Sequence, residues 1–128
     1  MGISNEALVK IGALGGIATV TMGLLFKAKI QANVKATVYY KEAIESLRKH
    51  QEAVRLLGQP IKEGSIDIGN ENRNYTKENV ARYEVPVRGP KQKGIVYFLA
   101  ERKGFEDNWI VTRIELELEN SKKRVTIK

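Results

Sequence analysis

The sequence predicts an α+β protein: an N-terminal transmembrane helix followed by a small domain of two helices packed on an antiparallel sheet of about four to five strands. Three observations carry this prediction. An uncharged run extends from Ile11 to Phe26, apolar residues recur at helical spacing from Tyr40 to Leu57, and apolar and polar residues alternate after Pro60. We therefore expect a membrane anchor with its juxtamembrane segment in residues 1–35 and a soluble head domain in residues 36–128.

The uncharged run is short for a membrane span. Its sixteen residues fall below the ~20 that a hydrocarbon core of ~30 Å requires, but Leu8 and Val9 lengthen it. Lys10 and Lys27 would then extend their ammonium groups toward the lipid headgroups. Two other interpretations are weaker. A cleavable signal peptide would need a charged start and a small-residue cleavage site, and three glycines would weaken a soluble buried helix.

Two glycines of the run, Gly12 and Gly16, are four residues apart. This spacing lets a second helix approach closely in lipid, where packing replaces the hydrophobic force that acts in water. Glycine is also simply frequent in membrane helices, which is the alternative explanation. We predict that Gly12 and Gly16 bind a partner helix and that the run itself binds the lipid bilayer.

The chain between Gly23 and Gly58 contains neither glycine nor proline, so a helix can continue from the membrane into the head. Its apolar stripe is interrupted near His50, which divides it into a helix ending at about Lys49 and a short second helix. Gly58 suits a left-handed C-cap, and Pro60 prevents further helix. The residues that mark the apolar faces of the two helices are Tyr40, Ala43, Ile44, Leu47, Val54 and Leu57.

After Pro60 the period of the apolar residues becomes that of strands. The clearest strand extends from Trp109 to Glu119, with Ile110, Thr112, Ile114, Leu116 and Leu118 expected toward the core. Short turns between successive strands require antiparallel neighbours. The other predicted strands are Ile61–Ile68, which is weak, Val80–Val87, Ile95–Leu99 and a last one around Val125 and Ile127, with the polar segment Gly69–Lys77 predicted as a loop.

Composition excludes several classes of function. The formal net charge of +7 comes partly from juxtamembrane lysines, which anionic lipid headgroups explain, and the remaining charges are interspersed in sign. No basic stripe with interleaved aromatic residues indicates nucleic-acid binding. The chain has no cysteine, so disulfides, thiolate metal sites and covalent haem attachment are excluded. We expect no cofactor, no metal and no nucleic-acid partner.

Candidate catalytic residues are few. His50 is alone and fits a cap or a surface position better than a general base. Glu115, Glu117 and Glu119 alternate along one strand, as polar residues on an exposed face do. Asn74 begins an Asn-Tyr-Thr sequon, which matters only in the secretory pathway. We predict a binding protein with no small-molecule substrate, and no enzyme.

Three segments resemble the cytochrome c oxidase assembly factor one family. They are YYKEAIESLRKHQEAVRLLGQPI (Tyr39–Ile61), YEVPVRGPKQKGIVYFLAERKG (Tyr83–Gly104), and Trp109 followed by the alternating IELEL. The order and spacing of the three segments, rather than any one of them, carry the resemblance. A short membrane segment precedes the head in that family too. The head is also similar to the intermembrane-space subunit of the presequence translocase.

The resemblance implies a single-pass protein of the mitochondrial inner membrane with its head in the intermembrane space. Its partners would be newly made membrane subunits or assembly intermediates of cytochrome c oxidase or complex I. The lysines after the run, Lys27, Lys29 and Lys35, outnumber Lys10 before it, which by charge alone would put the head in the matrix. A resident accessory subunit, a coupling subunit of the translocase type, and a secretory-pathway receptor remain alternatives. The predicted partner-binding residues of the head are Tyr39, Tyr40, Gly89, Lys91 and Gly94.

Overall fold

The computed structural model describes residues 28–128, and the predicted anchor with Gly12 and Gly16 lies outside these residues. No helix in the described part of the chain is long and apolar enough to cross a bilayer. Residues 28–35 are helical, and Val34–Lys128 form one structural unit, the head, which is described here by itself.

The predicted continuity of the helix into the head is wrong at residues 36–37, where the chain turns. The Thr37 hydroxyl donates to the Val34 carbonyl at 2.6 Å and accepts from the Tyr40 backbone N–H at 3.3 Å. Thr37 therefore closes one turn and caps the next helix, α1 (Val38–Lys49). The absence of glycine and proline did not reveal this break, because a threonine side chain can replace backbone partners at a helix start.

The division into two helices at His50 is confirmed. Helix α1 ends at Lys49, and α2 (Gln51–Leu57) begins directly after His50, whose Nδ1 accepts the Ala53 backbone N–H at 3.3 Å. Gly58 follows α2 with φ of 82°, a backbone conformation that favours glycine. The buried residues of the two helices are Tyr39, Tyr40, Ala43, Ile44, Leu47, Ala53 and Leu57.

Six antiparallel strands form the sheet of the head, against the four to five expected. The spatial order is β1-β3-β4-β5-β6, and β2 also pairs with β3. Most of the weak first strand is irregular, and the end of the expected loop forms β2. The strands are β1 (Lys62–Glu63), β2 (Tyr75–Lys77), β3 (Val80–Arg88), β4 (Lys93–Glu101), β5 (Ile110–Leu118) and β6 (Arg124–Thr126).

The pairing of β5 with β4 contains an irregularity, and on its N-terminal side the residues of β5 that face the core differ from those that simple alternation predicts. Leu99 pairs with Arg113 but Ala100 pairs with Val111, so Thr112 is an extra residue on β5. As a result Val111 is 1% exposed and Ile110 is 59% exposed. The prediction that Ile110 and Thr112 face the core is therefore wrong, whereas Ile114, Leu116 and Leu118 are buried as expected.

Aromatic rings fill the space between α1 and the sheet. The Tyr39 ring stacks on Tyr83 with centroids 6.1 Å apart and meets the edge of Trp109 at 5.2 Å. Phe98 of the central strand lies 5.8 Å from Tyr83 and 6.3 Å from Tyr40. Because α1 and α2 both pack on one face of the sheet, the opposite face carries neither of them.

The reversed face of β5 gives a direct test by substitution. Val111→Ala should lower the free energy of unfolding by about 1–3 kcal/mol, because it removes buried methyl groups. Ile110→Ala should change it by less than about 0.5 kcal/mol, since that side chain is largely exposed. Denaturant unfolding followed by circular dichroism measures both; a larger loss at Ile110 would mean that the simple alternation is correct.

Candidate functional site

The face of the sheet turned away from the helices, here called the open face, carries a half-buried apolar row. It consists of Ile95, Tyr97 and Leu99 on β4, the central strand. Their cross-strand partners on β3 are Pro86, Glu84 and Arg82, and on β5 Glu117, Glu115 and Arg113. The open face thus has an apolar centre with charged borders, a composition suited to binding another protein.

Ion pairs balance two carboxylates in the middle of the open face, those of Glu115 and Glu117. Arg124 lies over the Tyr97 ring at 4.4 Å and reaches Glu115 at 2.9 Å and Glu117 at 3.0 Å. Arg113 binds Glu115 at 2.6 Å, and this hydrogen bond lowers the pKa of the Glu115 carboxyl. Burial, followed by the charge of Glu117, raises the pKa of the Tyr97 hydroxyl. Glu115 is thereby held as a carboxylate with two guanidinium partners, which does not favour proton transfer at this position.

Three cations stand side by side at one end of the open face. Lys62 pairs with Arg88, and Arg88 pairs with Lys93, so their side chains project from adjacent strands on the same face. They line a concavity of about 510 Å³ together with Pro86, Ile95 and Lys122. The sequence analysis missed this row, because its members are far apart in the chain and only strand register aligns them.

The loop Gly89–Gly94 receives the end of helix α2. The Lys91 backbone N–H donates to the Leu57 carbonyl at 2.9 Å, and the Lys91 ammonium donates to the Arg55 carbonyl at 2.9 Å. Gln92 donates its amide to the Leu56 carbonyl, also at 2.9 Å. These bonds satisfy carbonyls that a helix end leaves without partners. Lys91 is therefore a structural contact, although much of the residue is exposed.

Gly89 and Gly94 are required by close backbone approach. A Cβ atom on Gly89 would lie 2.1 Å from the Leu57 carbonyl oxygen, and one on Gly94 would lie 2.7 Å from the Glu117 carbonyl oxygen. Real side chains do not reach such distances, so any other residue would displace the backbone. Backbone packing therefore explains why glycine occupies positions 89 and 94, and binding of a partner protein is not needed to explain it.

The prediction that Tyr39 and Tyr40 form a binding surface conflicts with their burial. They are 5% and 2% exposed and belong to the core. The Tyr39 hydroxyl hydrogen-bonds Thr76 Oγ1 at 2.8 Å, and Thr76 bonds the Tyr83 hydroxyl at 2.6 Å, while burial raises the pKa of Tyr83 to about 12. Among described residues, the Tyr40 hydroxyl is the buried side-chain polar group without a hydrogen-bond partner, and burial raises its pKa. Both tyrosines serve packing.

The Asn74 side chain is likewise structural. It is 6% exposed, donates its amide nitrogen to the Asp67 carbonyl at 2.9 Å, and accepts the Glu84 backbone N–H at 2.7 Å. A glycan on that nitrogen needs space that the buried side chain does not have, so a secretory-pathway receptor modified at the sequon is incompatible with this fold. Residues 28–128 contain no cluster of histidine and carboxylate side chains that could hold a metal ion.

Substitution of Gly89 tests the contact between the loop and α2. Gly89→Ala should lower the free energy of unfolding by more than about 2 kcal/mol, because the new methyl group collides with backbone rather than with a movable side chain. Gly104→Ala is the matched control, since its Cβ would lie 3.5 Å from the end of the Asp107 side chain, an ordinary contact. Thermal unfolding of both variants compares them; equal midpoints would contradict the close approach.

Comparison with known proteins supports the resemblance proposed from the sequence. The family described as "Cytochrome oxidase complex assembly protein 1" matches residues 12–128. The human protein "Cytochrome c oxidase assembly factor 1 homolog" is 31% identical over 91 residues, which are 71% of this chain and 62% of the human protein. This chain therefore spans less than two thirds of that relative's length. No solved structure matches the chain significantly.

The family match includes both helices and all six strands of the head, as well as residues 12–27 of the predicted anchor. It also contains the two contacts that the structure explains, between Leu57 and Gly89 and between Gly94 and Glu117. The resemblance inferred from the three sequence segments is thus confirmed, and this chain belongs to the cytochrome oxidase complex assembly protein 1 family.

Proposed function

We propose that this protein is a non-enzymatic assembly factor that binds newly made membrane subunits of mitochondrial respiratory complexes, those of cytochrome c oxidase, of complex I, or of both. The family match over residues 12–128 is the observation that carries the proposal. The named relative is a cytochrome c oxidase assembly factor homolog. The arrangement of the open face supports binding, since arginines engage its Glu115 and Glu117 carboxylates and its centre is apolar.

The proposal includes a single-pass anchor in the inner membrane, with the head in the intermembrane space. The uncharged run Ile11–Phe26 supports the anchor, and the family resemblance supports the orientation. A head in the intermembrane space would meet the exposed loops of unfinished membrane subunits.

Two contacts would act together. The first is the pair Gly12 and Gly16, which would admit a partner helix within the bilayer. The second is the open face, bordered by the loop Gly89–Gly94, which would hold a segment outside the bilayer. Because the two contacts belong to one chain, each raises the effective concentration for the other, and neither needs to be tight alone. Such weak paired binding suits a factor that must later release its partner.

Native gel electrophoresis of mitochondria that contain the protein tests the proposal. We expect the protein to migrate with assembly intermediates that contain newly synthesised subunits, and to be depleted from the finished complexes. Stoichiometric presence in a finished complex would instead identify a resident accessory subunit. Migration with the presequence translocase in the absence of newly made subunits would identify a coupling subunit.

Replacement of the glycine pair tests the membrane contact. Gly12→Leu with Gly16→Leu should reduce the amount of co-purified membrane subunits at least several-fold, because leucine prevents close helix approach. Ala18→Leu is the control, since on a helix it falls on the side opposite to the pair. Both variants should resist carbonate extraction equally. If the double variant co-purifies the same amount of membrane subunits as the wild type, the glycine pair does not bind partners and the head alone must recognise them.

A further inference from the structure

We infer that the cationic row, defined as Lys62, Arg88 and Lys93 and joined by the neighbouring Lys122, binds the acidic face of a helix in a partner protein. The inference deepens the proposed function and rests on it in one respect, that the ligand is a protein. It concerns the end of the open face and is independent of the membrane anchor.

Strand register creates the row. Lys62, Arg88 and Lys93 are directly opposite one another on β1, β3 and β4. Neighbouring strands are about 4.8 Å apart, so three positive side chains start within about 10 Å. Like charges directly opposite each other destabilise a sheet. Repulsion between these cations therefore lowers the stability of the sheet at this position, which residues of alternating charge would not do.

The cations of the row have no ion-pair partner within residues 28–128. Elsewhere on the same face, two arginines are paired: Arg124 with Glu115 and Glu117, and Arg113 with Glu115. Glu63 and Glu117 line the concavity beside the row, but Arg48 and Arg124 already engage them. Glu119 alone among the acidic residues lining the concavity makes no ion pair in the described chain. A net positive charge thus remains available to an external anion.

An apolar surface adjoins the row. Pro86 and Ile95 pair with each other, two residues along β3 and β4 from the pair Arg88 and Lys93. Because alternate residues share a face, the apolar pair and the cationic pair lie next to each other on the open face. Both pairs line the concavity of about 510 Å³. The ligand should therefore carry negative charge and apolar groups side by side.

A helix with acidic residues on one face matches this arrangement. Side chains at positions i and i+4 of a helix are about 5–6 Å apart, close to the spacing of the cations across the strands. Alternate residues of an extended peptide are about 6.8 Å apart and match the row less well. A surface of anionic lipid headgroups is less favoured, because a continuous layer of negative charge would also meet the unpaired Glu119 beside the row, whereas a helix presents its acidic residues along one face only.

The probe for the test is a synthetic helical peptide with glutamates at i, i+4 and i+7 and leucines beside them. A scrambled peptide of the same composition is the ligand control. Binding to the full-length protein in detergent is measured by fluorescence anisotropy. We expect the patterned peptide to bind at least about fivefold more tightly than the scrambled one, and raising the salt from ~0.05 to ~0.3 M to weaken it, because salt screens exposed charges.

The variant Arg88→Gln with Lys93→Gln should weaken the patterned peptide about fivefold or more, since each exposed ion pair contributes modestly. Its thermal midpoint should be equal to or above that of the wild type, because like-charge repulsion is removed. Lys41→Gln with Lys77→Gln is the matched control, as both of these cations are exposed elsewhere on the head. The control should keep peptide binding within about twofold of the wild type.

Three results would overturn the inference: equal affinity for patterned and scrambled peptides, equal losses in the two double variants, or a lower midpoint for Arg88→Gln with Lys93→Gln. Vesicles containing anionic phospholipid provide the remaining comparison. If the row variant loses vesicle binding but keeps peptide binding, the site is a lipid site and the inference is wrong. Because peptide binding is measured on purified protein, its outcome is separate from migration with assembly intermediates on native gels.

Discussion

The turn between β3 and β4 accepts the C-terminal end of helix α2, and the position of both helices on the sheet depends on this contact. Three carbonyls of α2, those of Arg55, Leu56 and Leu57, receive hydrogen bonds from Lys91 and Gln92. The approach is close enough that only glycine fits at position 89. Since Leu57 is fully buried, the same contact also seals one end of the core.

Once α2 is held there, α1 must cross the inner face of the sheet. His50 ends one helix and caps the other, so the two helices cannot separate without losing both caps. Arg48 near the end of α1 then reaches the Ile61 carbonyl at 3.0 Å and Glu63, which ties the helix to β1. With both helices on one face, the opposite face of β3, β4 and β5 is available for binding.

The residues of the head that we predicted to bind a partner serve mainly the fold. Tyr39 and Tyr40 fill the core, and Gly89 and Gly94 permit close backbone contact. Their positions in the sequence are therefore explained by packing, without recognition of a partner. Arg88 and Lys93 lie within the second of the three resembling segments, but only strand register aligns them with Lys62. For a protein proposed to act by binding, the exposed charge pattern is more informative than the motif.

Local interactions let the sequence by itself determine the family, the two helices, their ends at His50 and Gly58, and the alternation of Tyr83, Val85 and Val87. Capping and periodicity act within a few residues, so they can be read along the chain. Tertiary structure alone decided the rest: the turn at Thr37, the reversal of β5 at Thr112, the burial of Tyr39 and Tyr40, and the alignment of the cationic row. These features depend on which strands pair and in which register, and register is set by contacts between residues far apart in sequence.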